Sequence, residues 1–211
     1  MKNTVYKYYE LSWSQVLNGY SLGIFPMGED DGSISWYETS PRAILPIELP
    51  SSNIHITRSL AQVIRKNVFE IKIDNDFEYV IHACARRNST RNSTWINKLI
   101  LDAYLELFEK GYAHSVEAWQ NGKIAGGLYG VAYKGAFFGE SMFHKVNNAS
   151  KAAVVKLYEI LKKNKFVLLD IQMTTPHFET FGAIEISKRA YLEILERAMS
   201  TQREFEPDLQ D

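Results

Sequence analysis

The chain has 211 residues, a formal net charge of -1, 45% hydrophobic and 23% charged residues. That length can bury a sizeable core in one large domain or two small ones, and the composition excludes collagen-like, coiled-coil and wholly disordered classes. A charge balance so near zero gives no global attraction to polyanions, so a nucleic-acid partner would need a local basic patch.

The opening MKNTVYKYYE has no apolar core of a secretory signal, and no stretch approaches the ~18 apolar residues of a membrane span, so the cytoplasm is expected. Residues 12–22 read as a short helix capped by Ser12 and stopped by Gly23. The next stretch, 23–42, is loop-like in its Gly, Pro, Asp and Ser, yet it carries Phe25, Met27, Trp36 and Tyr37. Loops keep that many large apolar residues only when they pack or bind something. AILPIE (43–48) reads as a short strand with Pro46 inside it, at a sheet edge or at the strand's end. A first small unit closes near residue 60.

A helix at 59–67, capped by Thr57 or Ser59, leads to an alternating strand at 69–74 and a helix at 76–87. That second helix holds the single cysteine, Cys84, between two alanines, which points to a buried structural thiol; no intrachain disulfide can form. A polar loop (88–94) precedes the clearest helix, 95–110, with Ile96, Leu99, Ile100, Ala103 and Leu107 on one face and Gly111 at its end. Then the period falls to two. Strands at 113–119, 124–133 and 136–143 are joined by an Asn-Gly turn and a Lys-Gly turn. A helix at 151–163 opens from NNAS, and KFVLLDIQM (165–173) is apolar enough for a central strand. A last helix spans 186–199 with Ser187 as cap, and the polar tail from 201 is expected to be loose. The class expected is α+β, with a mainly antiparallel sheet; the domains expected are 1–60, 61–200 and the tail 201–211.

Several polar residues sit oddly in apolar strands. Asp170 and Gln172 lie two apart and so share a strand face, among Leu168, Leu169 and Ile171. Either they face water at the strand's end, or they are buried with partners at a site. Glu140, between Gly139 and Ser141, divides evenly between a structural carboxylate and a site residue. Gly126, Gly127 and Gly130 sit in a strand rather than before a helix, so they mark a bulge or a channel floor and not a phosphate loop. The helix start at 147–151 suits an anion but is ordinarily only a cap. Arg86, Arg87 and Arg91 cluster in one segment and Lys162, Lys163 and Lys165 in another, as a solvated face or a phosphate-contacting patch. The five histidines lack zinc-ligand spacing, so no metal is expected, and no cofactor motif is present.

Taken in order, GIFPM (23–27), SWYETSPRAIL (35–45), TWI (94–96), GYAHSVEAW (111–119), GGLYGVA (126–132), FFGESMF (137–143), ASK (149–151), LLDIQ (168–172) and PHFETFGAIEI (176–186) resemble the bacterial leucyl/phenylalanyl-tRNA–protein transferases. The resemblance covers most of the chain. It implies transfer of leucine or phenylalanine from charged tRNA to the N-terminal amine of proteins beginning with Arg or Lys, in the N-degron pathway. It also implies a small N-terminal α/β domain followed by an N-acetyltransferase-like domain, acting as a monomer.

By the same resemblance Asp170, Gln172 and Glu140 stand at the reaction centre. Trp36 and Trp95 stand near the aminoacyl pocket, with Phe138, Ser141 and Met142 from FFGESMF. Arg86, Arg87, Lys145 and Lys151 are matched to the tRNA-holding surface. The chain departs from the family in having Trp36-Tyr37 for paired tryptophans and Ile171 where a cysteine is common. The expected chemistry is aminolysis of the aminoacyl ester, with a carboxylate taking the amine's proton and Gln172 orienting the amine or the oxyanion. An acyl-CoA-dependent N-acyltransferase is the rival enzyme reading, though HKVNNASK (144–151) lacks a Gly/Arg-rich pyrophosphate loop. A non-catalytic tRNA- or peptide-binding module is the rival from another class.

Overall fold

The computed structural model describes residues 7–48, 53–86 and 94–207. Helix α1 (Trp13–Ser21) begins with a reciprocal cap: Ser12 accepts from the Gln15 N–H while the Gln15 side chain accepts from the Ser12 N–H. Gly23, at φ +80°, then turns the chain in a conformation that disfavours a side chain. The stretch expected as a loop folds instead into a hairpin of β1 (Phe25–Gly28) and β2 (Ile34–Tyr37), with Pro26 opposite Trp36. Its Gly and Asp residues belong to the turn, where the Glu29 N–H donates to the Ser33 carbonyl. The Gly, Pro, Asp and Ser residues in and between these two short strands hide their alternation.

The remaining strands form one seven-stranded sheet. In chain order these are β3 (Arg42–Ile44), β4 (Glu70–Ile73), β5 (Ala113–Gln120), β6 (Lys123–Tyr133), β7 (Ala136–His144), β8 (Leu168–Gln172) and β9 (Ile184–Ile186). Their order across the sheet is β4-β5-β6-β7-β8-β3-β9. All neighbours are antiparallel except β7 and β8. Of the two positions expected for β3, the structure takes the second: the strand lies between β8 and β9, and Pro46 falls beyond its end, where its missing N–H costs no ladder bond. Strand β9 was not legible, being three residues with exposed Ile184.

Helices cover both faces. Helix α3 (Phe77–Ala85), capped by Asp76, and α4 (Lys98–Glu109), capped by Asn97, pack with α1 and α6 (Lys188–Met199) over Phe138, Tyr129 and Leu168. Helix α4 starts three residues later than the apolar pattern suggests, because the Asn97 side chain takes the Ile100 N–H. Helices α2 (Arg58–Arg65) and α5 (Ala149–Lys163) cover Phe137, Leu169 and Ile171 on the other face. Cys84 is buried in the first core, as expected for a structural thiol.

The glycines of β6 are packing glycines and not a channel floor. A Cβ on Gly126 would stand 2.8 Å from the Ala149 Cβ, and one on Gly130 would stand 2.4 Å from the Phe137 ring. The tail is docked rather than loose over 203–206: Arg203 Nε donates to the Lys165 carbonyl, Asn164 Nδ2 to the Glu206 carbonyl, and Phe205 stacks on His114 at 4.3 Å. Among the described residues no helix is long and apolar enough to cross a membrane.

Candidate active site

Strands β7 and β8 pair in parallel only from Ala136/Leu168 to Phe138/Asp170 and then diverge. The wedge between them is a cavity of about 370 Å³. Its walls are mostly apolar, from Phe25, Met27, Trp95, Met142, Leu157 and Phe178, with Glu140 and Gln172 among them. The β1–β2 hairpin supplies one wall through Phe25, Pro26 and Met27.

Glu140 occupies a β-bulge. Tyr129 pairs with Ser141 and Gly130 with Gly139, so Glu140 has no partner on β6. A bulge re-aims side chains, and the parity changes accordingly: Ala136, Phe138 and Phe143 pack on one core, Phe137 and Met142 on the other. The half-buried Glu140 carboxylate meets two buried phenols. Tyr20, on α1, donates to Oε1; Tyr104, on α4, donates to Oε2 at 3.1 Å. The two phenol oxygens are themselves 2.6 Å apart. The three groups touch pairwise, and three such contacts need three protons. The phenols bring only two, so the ring closes fully when Glu140 is protonated. Burial pushes the Glu140 carboxyl up to about 7, against the pull of the Tyr20 and Tyr104 hydrogen bonds; Asp170 adds to the rise and Arg42 opposes it. Burial, and then the Glu140 charge, holds both phenols well above their ordinary range.

Asp170 is wholly buried and does not line the cavity. Arg42 faces it as a fork, Nε to Oδ1 at 3.0 Å and Nη2 to Oδ2 at 2.7 Å. The Tyr191 hydroxyl donates to Oδ2 at 2.7 Å, and the Gln172 N–H donates to Oδ1 at 2.9 Å. Arg42 spends its remaining nitrogen on the Gly23 carbonyl and lies between the Phe25 and Tyr191 rings. Burial works against the Arg42 charge, but the Asp170 carboxylate outweighs it and Arg42 stays protonated. Burial raises the Tyr191 phenol, and Asp170 raises it further.

This cage fixes Gln172. The residue sits at φ 57°, centred in a turn closed by the Met173 N–H on the Ile171 carbonyl at 2.6 Å. Thr39 Oγ1 donates to the Gln172 carbonyl. A three-residue turn of positive φ is strained for a side chain and persists only when its surroundings over-determine it; here Asp170 and Thr39 do so. The turn breaks the alternation, so Asp170 and Gln172 do not share surroundings: one points to Arg42, the other lines the cavity. Gln172 is 9% exposed, and its Nε2 has no hydrogen-bond partner among the described residues, which leaves both amide protons for a ligand.

The other expected residues divide. Trp95, Ser141 and Met142 line the cavity. Trp36 and Phe138 do not: the Trp36 ring fills the space over Gly19, and Phe138 is buried and stacked on Tyr20 at 4.2 Å. Arg86 and Lys145 both lie over the Tyr79 ring, at 5.9 and 4.8 Å, on an open surface. Lys151 lies in the first turn of α5, and its charge adds to burial in lowering the His177 imidazole. Arg87 lies outside the described residues. The α5 start is not a side-chain cap, since Asn148 sits at φ 67° with no cap bond. Reading the sequence alone missed Arg42, Tyr20, Tyr104 and Tyr191. An arginine opening the apolar run RAILPI was a signal, as were tyrosines on the buried stripes of three helices.

An apolar cavity between diverging strands, with a carboxylate and an amide on its wall, is suited to hold a bulky apolar group beside two polar side chains. The family described as leucyl/phenylalanyl-tRNA protein transferase matches residues 48–196, and the N-terminal domain of that family matches residues 9–40. The chain belongs to this family. Among solved structures it is similar to a domain described as the C-terminal part (DUF2156) of a lysylphosphatidylglycerol synthetase from Agrobacterium fabrum, at 10% identity and a TM-score of 0.41, over 93% of this chain and 60% of that one. It is also similar to L-PGS from Bacillus licheniformis, at 9% identity and a TM-score of 0.42, over 94% of this chain and 74% of that one. The chain thus spans about 60% of the length of the first of these.

Proposed function

We propose that the cavity binds the leucine or phenylalanine side chain of the charged tRNA, and that Glu140 and Gln172 act on the ester at its wall. The observation that carries this is the pairing of an apolar cavity with a titrating carboxylate and an unpartnered amide. The incoming amine attacks the ester carbonyl carbon and forms the C–N bond. The Gln172 Nε2 protons stabilise the oxyanion or orient the amine. Ionised Glu140 takes the amine's proton, and that proton passes to the departing 3′-terminal ribose oxygen as the C–O bond breaks. Asp170 acts through Gln172, by holding its backbone, and not on the substrate.

Acceptors begin with Arg or Lys in this reading, because Glu140 adds a negative charge where the N-terminus must lie, and the labelled proteins enter the N-degron pathway. The architecture is N-acetyltransferase-like over about 61–200, with the segment before residue 60 walling the donor pocket. The Arg86, Lys145 and Lys151 surface meets the tRNA phosphates. The protein acts as a cytoplasmic monomer.

The test gives the full chain radiolabelled leucyl-tRNA and a peptide with N-terminal Arg. Label moves to that peptide and not to one beginning with Asp, and Gln172→Ala removes the transfer. Equal labelling of both peptides overturns the acceptor assignment, and an unimpaired Gln172→Ala overturns the role of the amide.

A further inference from the structure

The divergence of β7 from β8 leaves more than a cavity. Beyond Phe138, β7 continues to His144 with β6 on one side and, among the described residues, no strand on the other. No backbone hydrogen bond reaches that second side over 139–144 from any described residue outside the ladder. Gly139, Glu140, Ser141 and Met142 on this free edge line the cavity, and only His144 is fully exposed. An unpaired strand edge in a partly dry cleft is a row of unsatisfied donors and acceptors, which a ligand with a backbone of its own can satisfy.

The edge has a direction. Its inner end is at Glu140 and Gln172, where the chemistry sits; its outer end is at His144, next to solvent. Four residues of extended chain cover about 13 Å, so a polypeptide laid along it reaches from reaction centre to surface. A carboxylate stands at the inner end, where a cationic amino terminus would arrive, and among the described residues no cation lines the cavity to repel it.

We propose that the acceptor's first four or five residues bind as an added strand on the free edge of β7, with the α-amino group at Glu140 and the chain leaving past His144. This rests on the acyl-transfer reading of the cavity and deepens it. Recognition after the first residue is then by main chain, since edge pairing reads the backbone and leaves side chains at alternate positions pointing away. The enzyme accepts many proteins because the edge asks only for an extended, unobstructed N-terminal segment.

The test uses the full chain, leucyl-tRNA and a set of seven-residue peptides with N-terminal Arg, each carrying one backbone N-methyl group between positions 2 and 5. A parallel set replaces each of those amides with an ester, which removes the N–H without adding bulk. The expected result is a period of two: kcat/KM falls at least tenfold at alternate positions and stays within twofold at those between. The ester set shows the same phase with smaller losses, and arginine amide alone is at least tenfold poorer than the parent peptide. Uniform tolerance of N-methylation, a loss without alternation, or full activity on arginine amide each overturns the strand-addition proposal. The unmodified peptide is labelled in all those cases, so its failure alone marks failure of the underlying reading.

Discussion

Two carboxylates flank the same cavity and are buried in opposite ways. Asp170 is enclosed by a guanidinium fork, a phenol and a backbone N–H, so its charge is fully compensated. Glu140 has phenols but no cation in contact, and its carboxyl is pushed up to about 7. One fold thus holds a caged carboxylate for architecture and a titrating acid for chemistry, and the difference lies in what each carboxylate touches. Both are carboxylates in apolar strands, and nothing within three residues on either side announces which is which.

The strongest way to break this contrast is to remove the cation. Arg42→Ala strands a buried charge on Asp170, and the loss of such a partner costs about 3–5 kcal/mol. Denaturant melts measure it, and Arg42→Lys recovers only part, because a point charge cannot replace the fork. Removing the other carboxylate leaves the fold intact. Glu140→Gln lowers leucyl transfer about 10²–10⁴-fold, the usual contribution of a proton-transferring side chain. The wild-type rate rises as pH climbs through about 7, where Glu140 ionises, and the variant's rate is flat there. An E140Q enzyme that keeps the wild-type rise would assign the titration to another group. Tyr191→Phe removes one donor from Asp170 and leaves the ion pair, so it costs about 1.5–3 kcal/mol and leaves the pH midpoint of transfer unmoved.

The long elements were legible because their periods are long. The meander over 113–144 and the stripe through Ile100, Ala103 and Leu107 announce strand and helix unambiguously. Short elements were not: β1, β2 and β9 span three or four residues and are fixed by tertiary pairing alone. For the site, residue type in an odd setting singled out Glu140, Asp170 and Gln172 and left their roles open; the family resemblance gave them roles, and neither reading reached their partners. Arg42 is 128 positions from Asp170, and Tyr20 is 120 from Glu140. Trp36 illustrates the converse: an aromatic in a loop-like stretch suggested a pocket wall, and the space it fills is the one Gly19 leaves on α1.

The finest test of the contrast lies in the phenol ring. Tyr104→Phe deletes one of the two donors that favour ionised Glu140, while burial, the dominant upward influence, remains. The midpoint of the pH–rate profile therefore moves up from about 7, by about one unit or less, since a unit corresponds to about 1.4 kcal/mol and a hydrogen bond of this kind contributes about as much. The sign in stability is fixed by the same shift. A carboxyl whose folded value is raised contributes stability that is fully present below its unfolded value and is lost as pH rises through the folded one. The wild type thus loses stability relative to E140Q between pH about 4.5 and 7, and Tyr104→Phe extends that loss to higher pH. Paired melts and rate profiles check both signs; a midpoint that falls in Tyr104→Phe would mean the phenol holds the protonated acid, with Glu140 donating to Tyr104 and the ring circulating the other way.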